Sequence, residues 1–235
     1  MKPTRHAEIV QLLAHHGTLE TDALATTLGV SVETVRRDLN RLQTEGKILR
    51  HHGGARLLHP ASGDAGQPFH TRLKSHYADK ADIARHALEW ITEGMTIALD
   101  ASSTCFHLAR QLPDIPLTVF TNSLPICETL ARRPHCTLIA SGGWLEPKTR
   151  SYRNPALLSL LKSLEIDLFI FSCEGVDARG VMWDPGEHDA AFKALLLRKA
   201  SQSLLLLDKR KFNRASEMMI GHLQQVTQMI SDTRE

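Results

Sequence analysis

Six basic side chains, Arg36, Arg37, Arg41, Lys47, Arg50 and Arg56, crowd into positions 36–56 against only Asp38 and Glu45. A net charge of +4 over so short a stretch suits a phosphate backbone. The remaining residues hide it: residues 1–35 carry two basic and four acidic groups, residues 57–235 carry 20 of each, and the chain's formal charge is only +2. A second set of chemistry-bearing residues sits in five turns, each following an apolar run: Asp100-Ala-Ser-Ser-Thr104, Thr121-Asn-Ser123, Ser141-Gly-Gly143, Cys173-Glu-Gly175 and Asp208-Lys-Arg-Lys211. Hydroxyls, glycine backbone N–H groups and Lys193, Lys209 and Lys211 together suit a small phosphorylated, polyhydroxylated ligand, with Asp100 and Glu174 able to accept sugar hydroxyls. Proton-transfer chemistry has less support. Asp100, Glu174, Asp184, Glu187 and Asp189 are candidate carboxylates, but no spacing singles out an acid–base pair. Cys105, Cys127, Cys136 and Cys173 form no C-x-x-C pair, and the adjacent histidines His15–His16 and His51–His52 lack helical ligand spacing. Neither a metal nor a cofactor is expected.

The basic stripe falls on elements that can present it. Ile9, Leu12 and Leu13 mark a helix over 4–15. Thr21 is placed to cap a second helix with Ala23, Leu24, Ala25 and Leu28 inward. After a tight turn at Gly29-Val30, Ser31 is placed to cap a third helix. Val35, Leu39 and Leu42 face its core while Thr34, Arg36, Arg37, Asn40 and Arg41 point outward, and Gly46 ends it. Residues 48–50 and 55–58 around His51-His52-Gly53-Gly54 read as a β-hairpin. The whole is a winged helix-turn-helix, with its third helix sized for the major groove of double-stranded DNA and the wing beside the backbone. The candidate DNA contacts are Ser31, Thr34, Arg36, Arg37, Asn40, Arg41, Arg50, His51 and His52.

The 235 residues allow two unequal domains, and 42% apolar with 23% charged residues excludes disordered, collagen-like and disulfide-scaffold chains. The expected limits are 1–58 for the DNA-binding domain, 59–72 for a Gly- and Pro-rich linker, and 73–235 for the larger domain. In the latter a helix is expected over 74–92. Strands at 96–100, 117–121, 137–141, 167–173, 203–208 and 226–231 then alternate with helices at 104–111, 125–132, 155–163 and 189–200. That is an α/β fold with a mostly parallel sheet, and ligands of such sheets lie beyond the carboxyl ends of the strands. With no run of 18 apolar residues and no apolar leader after Lys2, a cytoplasmic location is expected.

L-G-V-S-V-E-T-V-R-R-D-L-N-R-L from Leu28, followed by G-K-I-L-R-H-H-G-G-A from Gly46, resembles the DeoR-type winged helix-turn-helix. D-A-S-S-T from Asp100, T-N-S, S-G-G, D-L-F-I-F-S-C-E-G from Asp167 and D-K-R-K-F from Asp208 resemble the DeoR sensor domain. That domain is related in fold to ribose-5-phosphate isomerase and CoA-transferase-like proteins. The resemblance implies a transcriptional regulator controlled by a sugar phosphate. Its candidate ligand contacts, combined with those read above, are Asp100, Ser102, Ser103, Thr104, Asn122, Ser123, Gly142, Gly143, Glu174, Lys193 and Lys211. Two positions depart from the family pattern: Asp189 stands where Glu is usual, and Asn154 where Gly is frequent. Stretches such as L-K-S-H-Y-A-D-K-A-D-I-A from Leu73 and L-A-R-Q-L-P-D-I from Leu108 are similar to those of regulators of L-fucose operons, which implies activation and L-fuculose 1-phosphate as effector. The alternative is a sugar-phosphate isomerase-like enzyme with an appended DNA-binding head. A reader of half-sites needs partners, so a homodimer or tetramer is expected.

Overall fold

A computed structural model describes residues 5–16, 18–45, 47–51, 53–57 and 67–232. They fall into two compact units, one on each side of residues 58–66. His52, Gly46 and most of the expected linker lie outside the described residues.

The smaller unit runs α1 (Arg5–His16), β1 (Thr18–Glu20), α2 (Thr21–Leu28), α3 (Val32–Thr44), β2 (Ile48–His51) and β3 (Gly54–Leu57). Ile9 and Leu13 of α1, Leu24 of α2 and Val35, Leu39 and Leu42 of α3 are fully buried in one core with Ile48 and Ala55. Ala23 is exposed and Leu28 only half-buried, because the inward face of α2 is set by Thr21, Leu24 and Ala25. Thr21 is not the N-cap. Glu20 holds that position, and the Thr21 backbone N–H donates to Gly53 O at 2.8 Å. The hairpin β2–β3 gains a third strand, since β1 pairs antiparallel with β3. That pairing explains Gly54, where a Cβ would collide with the Leu19 carbonyl of β1.

The larger unit opens with α4 (Phe69–Lys74) and α5 (Tyr77–Ala87) and continues through β4 (Thr96–Leu99), α6 (Ser103–Gln111), β5 (Leu117–Thr121), α7 (Leu124–Leu130) and β6 (Cys136–Ala140). A hairpin of β7 (Trp144–Glu146) and β8 (Ser151–Arg153) follows, then α8 (Leu157–Lys162), β9 (Leu168–Phe171), β10 (Gly175–Val176), β11 (Val181–Asp184), α9 (Glu187–Lys199), β12 (Gln202–Leu207), β13 (Met218–His222) and β14 (Gln228–Ser231). Six strands make one sheet in the order β14-β12-β9-β4-β5-β6, every neighbouring pair parallel. Both faces are covered, so the central strands read as continuous apolar runs such as Leu-Phe-Ile-Phe in β9. Ile97, Leu99, Val119 and Ile170 pack under α5, α6 and α7, and Ala98, Phe120, Phe169 and Phe171 pack under α8 and α9.

Three features differ from expectation. Residues 69–72, expected in the linker, belong to the first helix of this unit: Phe69 is buried edge-on against Phe106 and its N–H donates to Lys148 O. The helix expected over 74–92 is broken at His76, whose left-handed φ of 53° separates α4 from α5. A small antiparallel sheet, β10-β11-β13, stands beside the parallel one.

Leu39→Ala should cost the smaller unit about 2–5 kcal/mol, read by denaturation followed by circular dichroism. All three tryptophans, Trp90, Trp144 and Trp183, lie in the larger unit. The tryptophan fluorescence transition should therefore stay in place.

Candidate functional site

The smaller unit presents α3 as expected. Ser31 caps it, its Oγ accepting from Thr34 N at 3.2 Å. Arg36, Arg37 and Arg41 stand out from the surface with side chains 59%, 80% and 74% exposed. Glu33 is shared by Arg36 at 3.9 Å and Arg37 at 3.8 Å. Long exposed pairs of this kind contribute at most about 1 kcal/mol, so phosphate oxygens can replace them. Arg50 reaches back from β2 to donate to Asn40 Oδ1, tying the wing to α3 and engaging both side chains. Thr34 is half-buried, and Ser31, Asn40 and His51 are exposed on this unit.

Asp38 is the residue of α3 that a division into apolar-inward and polar-outward positions leaves out. It is buried, and it receives Arg5 Nε at 2.5 Å and His6 Nε2 at 3.0 Å from α1. The hydrogen bond from Arg5 holds the Asp38 carboxyl below its usual range. Its spacing carries the signal: positions 35, 38, 39 and 42 follow one helical face.

In the larger unit, a polar cleft opens at the carboxyl ends of β4, β5 and β9, where open α/β sheets place their ligands. Asp100 follows β4 and is 1% exposed. Its Oδ1 accepts from Ser102 Oγ at 2.6 Å, and its Oδ2 accepts from Lys193 Nζ at 3.1 Å. Lys193 of α9 also donates to Asp184 at the end of β11. Burial opposes the charge on Lys193, but Asp184, Asp100 and Asp189 overcome it and raise its pKa above the ordinary lysine value. Burial pushes Asp184 up to about 6 despite the ammonium beside it. Ser102 caps α6, accepting from Cys105 N, and Ser103 lines the cleft at the same helix start. Asn122 is 2% exposed and lines the cleft, and its Oδ1 has no partner among the described residues. Lys211 donates to Ser172 Oγ at 3.3 Å and Cys173 O at 2.8 Å, both neutral acceptors. Arg72 from α4, Asp184 and Asp189 complete the charged lining. Arg72, Asp184 and Asp189 are not among the ligand contacts expected from sequence: α4 and β11 are not among the expected elements, and Asp189 stands at the start of an expected helix, among the candidate carboxylates only.

Five of the expected ligand residues do not line this cleft. Ser123 is buried as the cap of α7, its Oγ accepting from Ile126 N. Thr104 is buried within α6. Glu174 turns toward Arg214 at 3.4 Å. Gly142 and Gly143 serve the turn into the β7–β8 hairpin with φ of 63° and 101°, and a Cβ on Gly143 would strike the Arg153 carbonyl. Lys209 points away to Asp232. Asn154 does not adopt the left-handed backbone. It holds its turn by accepting from Ala156 N and donating to Ser141 O. The cysteines are free thiols, and burial pushes Cys173 up to about 12 and Cys127 to about 11, away from nucleophilic use. Among the described residues no helix is long and apolar enough to cross a membrane.

A winged helix-turn-helix with a cationic third helix, joined in one chain to an α/β unit with a polar cleft at its strand ends, defines a ligand-responsive DNA-binding regulator. Residues 5–61 match the DeoR-like helix-turn-helix domain and residues 75–233 the DeoR C terminal sensor domain. The chain belongs to the DeoR family of transcriptional regulators. It is 62% identical over 235 residues to the L-fucose operon activator of Escherichia coli (strain K12), covering 100% of this chain and 97% of that one. Among solved structures it is similar to eIF2B delta from Chaetomium thermophilum, with a TM-score of 0.51 and 14% identity over 69% of this chain and 58% of that one. Ribose 5-phosphate isomerase A from Methanocaldococcus jannaschii aligns with a TM-score of 0.45 and 14% identity over 59% of this chain and 55% of that one. The isomerase alternative is not favoured, because the full-length relative is a regulator.

Replacing both Arg36 and Arg37 by Ala should weaken operator binding and lower the slope of log affinity against log salt by about 1 for each phosphate no longer engaged. Fluorescence anisotropy at several salt concentrations checks this. A second expectation concerns Asp184. Its folded pKa of about 6 lies above the unfolded value of about 3.9. The folded state therefore holds the extra proton, and this group's contribution is present at low pH and lost as pH rises through about 6. The melting point of the wild type minus that of Asp184→Asn, followed by tryptophan fluorescence, should fall between about pH 4 and about pH 6 and level off above.

Proposed function

We propose that this regulator activates transcription of an L-fucose operon and that L-fuculose 1-phosphate, bound at the strand ends of the larger unit, is the effector. The observation that carries the reading is the cleft itself. It sets Lys211, the start of α6 and the unpartnered Asn122 amide oxygen around one space, and these suit a phosphate and sugar hydroxyls. The fucose assignment and the direction of control come from the relative that shares 62% of its residues. Ser102, Ser103 and Lys211 would meet the phosphate; Asn122, Asp100 and Asp189 would meet hydroxyls. Lys193 would organise the two carboxylates rather than bind phosphate, since both are already on it. Arg36, Arg37 and Arg41 would meet DNA phosphates or guanine edges, with Ser31, Thr34, Asn40, Arg50, His51 and His52 around them. Two or four copies would read repeated half-sites.

The lining holds Asp100, Asp184 and Asp189 against Arg72, Lys193 and Lys211, so its charges balance. The free volume is about 30 Å³, room for roughly two waters. A sugar phosphate therefore enters by displacing wall contacts, and that makes its affinity depend on conformation.

Thermal-shift titration across sugar phosphates tests the reading. At a concentration of about 100 times Kd, L-fuculose 1-phosphate should stabilise the protein by about 2.7 kcal/mol, raising the midpoint by roughly 5–10 °C. The same compound should change affinity for fucose-operon DNA. No shift with any pentose or deoxyhexose phosphate would overturn it.

A further inference from the structure

We infer that the open edge of β6, together with the β7–β8 hairpin and α8, is the face on which two copies of this chain meet. The inference rests on the reading that more than one copy binds repeated half-sites, and it adds the surface. β6 is the last strand of the parallel sheet, and among the described residues it pairs with β5 alone. Four of its five residues, Cys136, Leu138, Ile139 and Ala140, are apolar, yet none of the five is buried. Exposed strand edges are ordinarily blunted by charge, proline or a bulge. None of these interrupts β6: its register with β5 is continuous, and residues 136–145 hold no charged side chain. An unblocked edge presents the same row of N–H and C=O groups in every copy. A second β6, running antiparallel about a two-fold axis, is a partner of matching length and composition.

The surface beyond the strand continues in kind. Ser141 follows β6 and borders a groove of about 420 Å³ lined by residues of the hairpin, α8 and α9. Trp144 and Leu158 line this groove and stand 73% and 59% exposed. A protruding indole beside an apolar hollow gives one face both a knob and a hole, which a two-fold interface needs because the same patch must meet itself. Aromatic anchors of this kind supply much of the affinity at interface cores. Charge permits the approach. Glu146 and Arg153 of the hairpin pair with each other at 2.6 Å, and residues 154–161 carry no charged side chain. Two copies can therefore close on this face without bringing like charges together. The smaller unit gives the occupant: one exposed recognition helix per chain reads one half-site, and a second half-site needs a second copy.

The test follows the assembly state of the full chain by sedimentation velocity over a range of concentrations. It compares wild type with Trp144→Glu and Leu158→Glu in the groove and Thr137→Lys on the edge strand. Met219→Glu, at a 51% exposed position on β13 of the small sheet, is the control. All four positions are exposed, so the variants should fold, which circular dichroism melting checks. The groove variants should weaken self-association by about 30-fold or more, and Thr137→Lys should weaken it too. Each should lower the assembly by one step, from dimer to monomer or from tetramer to dimer, while Met219→Glu sediments as wild type. Binding to fucose-operon DNA with two half-sites should weaken in the first three variants, and binding to a single half-site should hold. Folded groove variants that assemble as wild type, as expected if a ligand or another protein fills the groove, overturn the inference. Equal weakening by Met219→Glu overturns it as well, and Thr137→Lys without effect removes β6 from the face. A wild type that stays monomeric removes the half-site reading beneath it.

Discussion

One ammonium group holds the larger unit's functional edge together. Lys193 lies on α9, Asp100 follows β4 of the parallel sheet and Asp184 ends β11 of the small antiparallel sheet, so a single buried cation joins three elements from different parts of the chain. A charge taken out of water is tolerated only when it is paired and hydrogen-bonded. Each of these groups therefore fixes the place of the others, because moving one element would strand a charge in the interior. Asp100 extends the constraint. Its second oxygen receives Ser102, and Ser102 caps α6, so the geometry of the cleft turn follows from the ion pair.

That arrangement also decides which cations remain for a ligand. Two carboxylates already share Lys193, whereas Lys211 donates to a hydroxyl and a carbonyl oxygen. Replacing a neutral acceptor with a phosphate gains attraction at little cost. Drawing Lys193 away would expose two carboxylates to each other. The cleft is thus divided into a rigid half that sets position and a half whose partners can be exchanged.

Much of this is legible in the chain, and the parts that are not have a common cause. The smaller unit follows from local rules: Ser31 caps, Val35, Leu39 and Leu42 repeat on one face, and the outward arginines take what remains. The parallel strands stand out as apolar runs because both their faces are covered. What escapes are the short antiparallel strands β1, β7, β8, β10, β11 and β13, two to five residues each, which carry neither a long apolar run nor a clear period. Asp184 is hidden with β11, and Arg72 with a helix of six residues whose neighbours in sequence have the composition of a linker. The glycines after β6 are ambiguous for the opposite reason. Gly142 and Gly143 mark a sharp turn that does not line the cleft, and at Gly143 the lack of a Cβ admits the Arg153 carbonyl. A turn at a strand end has the same composition whether it faces a cleft or a neighbouring hairpin, and only tertiary packing separates the two.

The two units handle positive charge in opposite ways, and the contrast follows from what each would bind. On α3 the arginines are exposed, with Glu33 at the limit of ion-pair distance from Arg36 and Arg37 and Glu45 at 3.4 Å from Arg41, so solvent and salt compete for these contacts. Such a surface can meet a long polyanion quickly and in many places, with an affinity that salt erodes. In the cleft the cations are nearly buried, each held by specific oxygens at a few ångströms. Screening by salt is weak there, and a ligand that engaged these cations would take over contacts that already exist. The first design favours reversible attachment to DNA. The second would couple ligand binding to rearrangement of the wall, and a ligand that binds two arrangements unequally is the physical requirement for control.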